Sequence, residues 1–219
     1  LVQLVSLAFI CLIKHKQEVK PIKFNLRKFF HRPHWNIKLF AFTGMLITFV
    51  EYMDYTVTII FLKEVYKASL TQIGFVMGLG WLSYGITQIL SGKHSDKKGR
   101  KKLYIYGGIT AGLSALLIPN TSSLFGITLF FILLSAGHGI ATPAIRGMTA
   151  ESTSEKYRTQ DFGFITTFEE LGALVGFPAM GWIADNLGFN AAFYLRGLTI
   201  LCVTIIVYLL IHKKNAQND

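Results

Sequence analysis

Acidic residues, cysteines and prolines are all scarce in this sequence. Only 12 Asp and Glu stand against 22 Lys and Arg, charged residues make up 16% of the chain, and two cysteines occur in 219 residues. Cys11 and Cys202 lie far apart inside apolar segments and form no CxxC spacing. That excludes a disulfide framework and a zinc site, and it leaves both as small buried apolar residues. Neither a nucleotide-binding loop nor a metal-ligating cluster is present, and no nucleophile, base and orienting acid fall into a catalytic pattern. No metal, cofactor or enzymatic reaction is therefore expected. The net charge of +10 and pI near 9.6 suggest nucleic acid at first sight. The bases lie between long apolar runs, however, rather than on one polar domain, which argues against a nucleic-acid partner.

What the sequence has in quantity is apolar length. Hydrophobic residues make up 52% and the mean hydropathy is +0.44, a composition for which water is a doubtful solvent. Six full apolar segments run over Leu39 to Phe61, Leu70 to Leu90, Leu103 to Ile118, Leu124 to Ala144, Phe162 to Ala184 and Ala191 to Ile211. Each is long enough to cross a bilayer with some tilt or shortening. The alternation of barrel strands is missing, and a spanning backbone must satisfy its own hydrogen bonds, so the spans are predicted to be helices. The spacings Gly74/Gly78, Gly108/Gly112 and Gly172/Gly176 predict close helix contacts.

Residues 1–13 are apolar but cover about half of what a crossing needs. With no methionine at the start and Lys14, Lys16 and Lys20 after the run rather than before it, the segment reads as the end of a truncated span, not a signal peptide. A basic cytoplasmic loop is expected over 14–38, the bundle over 39–211 and a polar tail over 212–219. Aromatic residues in that loop, including Phe29, Phe30 and Trp35, favour partial contact with an anionic leaflet over a plain solvated linker. Lys and Arg divide 19 to 3 between the two sides of this topology, which predicts a cytoplasmic C-terminus.

Between the second and third spans stands GKHSDKKGRKK, Gly92 to Lys102. It resembles the cytoplasmic signature of the major facilitator superfamily, G-x-x-x-D-[RK]-x-G-R-[RK]-[RK], matching at Gly92, Asp96, Lys97, Gly99, Arg100, Lys101 and Lys102. Glycines permit a tight reversal, the bases hold the loop in the cytoplasm, and Asp96 is suited to cap a helix N-terminus. AESTSEKYRTQDFG is similar to a later cytoplasmic loop of the family at Glu151, Arg158 and Gly163, and Pro178 falls in a Gly-Pro stretch like that of its fifth or eleventh helix. The resemblance implies an all-α membrane protein built as one six-helix bundle of a major-facilitator-type fold. The truncated span and long basic loop resemble the end of the sixth helix and the central loop, so the full spans are taken as helices seven to twelve. The internal repeat leaves the N-terminal half open.

Charges inside spans are costly, by about 2.5–3.5 kcal/mol on insertion scales, and so point to a cavity or a partner. Glu51 and Asp54 share a helix face mid-span. Two carboxylates this close in a low dielectric resist simultaneous ionisation, which suits reversible protonation; the other reading is that each is hydrogen-bonded to a neighbouring helix. Glu169, on the stripe of Gly172 and Gly176, and His138 are further candidates for proton coupling, with packing roles as the alternative. Tyr55, Trp81, Tyr84, Gln88 and Glu170 are candidates for a solute pocket, although Trp and Tyr also belong at membrane interfaces. Arg146 is expected to snorkel, and Arg196 is counted at the start of a peripheral last helix. The candidate switch residues are Gly92, Asp96, Gly99, Arg100, Glu151 and Arg158, with Arg100 and Glu151 expected to pair.

The expected function is secondary active transport of a small organic solute or drug by alternating access, coupled to protons. The implied partners are the lipid bilayer, the solute, protons and an N-terminal six-helix half. The rivals are a non-transporting helical half that acts as an interaction partner or remnant, and an intramembrane enzyme using Glu169 or His138, for which no catalytic arrangement is seen.

Overall fold

A computed structural model describes residues 33–211. The expected truncated span over 1–13, most of the basic loop and the tail over 212–219 lie outside the described residues, as does the side chain of Asp96.

Among the described residues every regular element is helical. Helix α1 covers Trp35–Glu51, a 3-10 turn follows over Tyr52–Tyr55, and α2 resumes at Val57–Glu64. Then come α3 Leu70–Lys98, α4 Arg100–Leu117, α5 Leu124–Glu151, α6 Arg158–Leu187 and α7 Phe189–Leu210. Local signals fix several starts. Ser69 and Gln72 form a reciprocal capping box at α3, and the Ser123 hydroxyl accepts the Gly126 N–H at 3.1 Å to open α5. Gly99 at φ 90° and Gly188 at φ 87° each join two helices through a single residue, a backbone state that favours glycine.

The helices outrun the apolar segments, because polar and basic residues prolong a helix beyond the hydrocarbon layer as readily as apolar ones. The first starts at Trp35 rather than Leu39, and α3 continues through Gly92 to Lys98. The expected tight loop therefore shrinks to Gly99, and Gly92 lies inside a helix. Among the described residues five helical segments are long and apolar enough to cross a membrane, counting Trp35–Glu64 as one. The sixth, α6, has the length, at 30 residues, but carries Glu169 and Glu170 near its middle and charges toward both ends.

Packing forms an arc: α3 lies on α5, α5 on α4, α4 on α7, α7 on α1, and α1 on α6. Small residues set the closest approaches. A Cβ at Gly172 or Gly176 would strike the carbonyl oxygens of Met45 and Phe49 on α1, and one at Gly108 would strike Thr204 on α7. Gly74 and Gly78, by contrast, meet nothing within reach, so that pair is no helix contact among the described residues. Phe61, Phe193, Ile118 and Ile127 belong to the core at the end of the bundle where α2 lies.

Candidate functional site

Midway along the bundle the arc lines an open cavity of ≈ 430 Å³. Its wall carries Glu51, Asp54 and Tyr55 from the broken first span, Trp81 and Tyr84 from α3, His138 and Arg146 from α5, and Glu169 and Glu170 from α6. Every proton-coupling candidate lines it, as do four of the five pocket candidates. The fifth, Gln88, sits one helical turn past Tyr84, half-buried and outside the wall. A smaller cavity of ≈ 90 Å³ adjoins Glu51, Asp54, His138 and Arg196.

The carboxylates do not face one another as a bare pair. Asp54 is held bidentately by Arg196, whose Nη2 donates to Oδ2 at 2.8 Å while Nη1 donates to Oδ1. Thr58 donates its hydroxyl to the same carboxylate at 3.1 Å. Glu51, three residues earlier, meets His138 Nδ1 at 3.4 Å. The separation arises at the 3-10 turn, which tightens the backbone and sends the two side chains to different helices. The expected repelling pair is thus two separate pairs, one from α5 and one from α7.

Two arginines take places that differ from expectation. Arg196 is not peripheral: it is 1% exposed, in the interior between α7 and the broken span. Arg146 does not snorkel but donates from Nη2 to Glu169 Oε2 at 3.2 Å. Glu169 in turn lies over Gly44, where a Cβ would crowd it, and Thr48 on α1 donates to its backbone carbonyl at 2.6 Å. A bilayer charge requires a partner, and that rule applied to the arginines as well as to the acids would have flagged both pairings.

At the end of the bundle holding the signature, Arg100 and Glu151 approach to 3.3 Å. Gly147 permits this, since a Cβ there would collide with the Arg100 guanidinium. Arg158 is exposed at the start of α6. Aromatic rings line one flank of the cavity: Tyr52 to Tyr55 at 5.7 Å, Tyr55 to Trp81 at 6.4 Å, and Trp81 to Tyr84 at 5.7 Å between centroids.

The sequence profile described as the Major Facilitator Superfamily matches residues 41–219. The chain belongs to the Major Facilitator Superfamily. Membership in this family makes it a multi-pass membrane protein of a transporter family, not of an enzyme family. Among similar proteins, the multi-drug resistance efflux pump PmrA of Streptococcus pneumoniae is 31% identical over 59% of this chain and 33% of its own length. The cis,cis-muconate transport protein of Acinetobacter baylyi is 25% identical over 78% and 42%, and the chloroplastic ascorbate transporter of Arabidopsis thaliana 22% over 74% and 30%. The chain thus spans between about a third and two fifths of the length of these relatives. A crystal structure of a peptide transporter, POT, in complex with sulfate superposes with a TM-score of 0.64 at 16% identity, covering 79% of this chain and 37% of that one. That likeness shows the superfamily fold alone.

Proposed function

We propose that this chain is the C-terminal bundle of a proton-coupled secondary transporter, working by alternating access with an N-terminal six-helix half in the cell membrane. The observation that carries the reading is the Glu51–His138 contact at 3.4 Å on the wall of the mid-bundle cavity. A carboxylate and an imidazole in contact can share a proton, and the Glu51 side chain, 39% exposed, can exchange one with the cavity. Asp54, clamped by Arg196, is assigned to holding the broken span instead. The Arg100–Glu151 pair, partly exposed, biases the conformational equilibrium more than stability. Arg146 and Arg196 lie inside the bundle, and without them the Lys and Arg balance is 18 to 2, which supports a cytoplasmic C-terminus.

The test is Glu51→Gln in the complete transporter. Proton-driven accumulation of solute is expected to disappear while solute exchange persists, because exchange needs no net proton step. Full accumulation by this variant would remove Glu51 from proton coupling.

A further inference from the structure

Charge pairing and ring placement together indicate what kind of solute this bundle can hold. Of the bases near the cavity, Arg146 is bound to Glu169 at 3.2 Å. Arg196 has a side chain only 2% exposed, and both its terminal nitrogens are taken by Asp54. Among the described lining residues no lysine is present, and Arg146 is already paired with a carboxylate. Two carboxylates, in contrast, form no ion pair with an arginine or lysine among the described residues, although Arg196 lies within electrostatic range of Glu51. Glu51 is in ion-pair range of the imidazole of His138, which can donate while neutral, and Glu170 is exposed on the wall with no ion pair among the described residues.

The rings occupy the same region. Tyr52 lies within electrostatic range of both Glu51 and Glu170, and Tyr55 within range of Glu51. The row continues through Trp81 to Tyr84, with Tyr55 and Trp81 each about half exposed. Aromatic faces attract a cation by their quadrupole, Trp most strongly, and they also give an apolar body something to lie against. A small hydrated ion would gain little from such a wall, and a neutral sugar would leave the carboxylates without a partner.

We infer that the cavity takes an organic cation with an apolar body, its positive charge between Glu51 and Glu170 and its bulk along the row Tyr52, Tyr55, Trp81 and Tyr84. This rests on the transporter reading for its purpose but not for its test. Binding of radiolabelled tetraphenylphosphonium to the full chain in lipid nanodiscs is measured by equilibrium dialysis, with empty nanodiscs subtracted. Tetraphenylborate, nearly the same in size and shape but negative, is measured in parallel.

Saturable binding of the phosphonium alone is expected. Glu51→Gln and Glu170→Gln should each weaken it about tenfold, and Trp81→Leu severalfold. Glu155→Gln, a carboxylate outside the cavity, should leave it unchanged. The inference is overturned if a helical, monodisperse chain binds no phosphonium saturably, if it binds the borate as well or better, or if both glutamine variants bind the phosphonium like the parent. The transport reading fails in a different way: the cation binds as described while the complete transporter moves no solute across the membrane.

Discussion

Arg196 shows how strongly one residue can depend on another in this bundle. Its guanidinium is buried and held to Asp54 by two hydrogen bonds, so removing either partner leaves a charge in a low-dielectric interior. Arg196→Met is expected to lower stability by about 3–5 kcal/mol, the range for breaking a buried pair. The double variant Arg196→Met with Asp54→Leu should recover much of that loss, because no charge is then stranded. Thermal or denaturant unfolding of the four proteins in one detergent measures the coupling. A double-variant loss equal to the sum of the two single-variant losses would show that the pair contributes nothing beyond its separate residues. Glu51 is open to the cavity and has a softer partner in His138, which is why it, rather than Asp54, carries the proton proposal.

At the scale of elements, two features decide where these side chains go. The first is the break over 52–56, which contains neither glycine nor proline, so nothing in the local sequence marks it. The Asp54–Arg196 pair lies across this break and ties it to α7. The second is the contact of α1 with α6, where Gly172 and Gly176 lie against backbone carbonyls. Backbone cannot yield as a flexible side chain does, so Gly172→Ala and Gly176→Ala should each destabilise the chain by about 1–3 kcal/mol, the usual penalty of overpacking. Gly74→Ala, with open space around it, should be neutral or slightly stabilising through helix propensity. Unfolding midpoints of the three variants test the difference. The same G-x-x-x-G spacing in α3 and α6 has different surroundings, which spacing alone does not reveal.

The whole bundle presents one side of a cavity. Its wall carries Glu51, Glu169 and Glu170, and in the proposed transporter the other side comes from the N-terminal half. Proteoliposomes containing this chain alone are therefore expected to show no saturable solute uptake, and co-expression with a matching N-terminal half should restore it. Saturable, proton-dependent uptake by the chain alone would mean that two copies form a working homodimer. The cation-binding measurement is independent of this result, since the carboxylates and rings it probes all belong to this chain.

By itself the sequence determined the fold class, all-helical and membrane-spanning, and the superfamily. These follow from composition, from segment length against bilayer thickness, and from a motif in which two glycines and an acid sit among bases. The same sequence also pointed to the carboxylates and the histidine on the cavity wall, because a charge kept within an apolar run needs a reason to be there. The tertiary structure decided the pairings. Asp54 with Arg196 are 142 positions apart, Glu51 meets His138 on another helix, and Arg146 turns inward to Glu169. Sequence periodicity fixes which face of a helix a residue occupies, but not which helix lies opposite. That choice depends on how backbones approach one another at Gly172 and Gly176 and on where the first span breaks, and both are settled only when the helices pack.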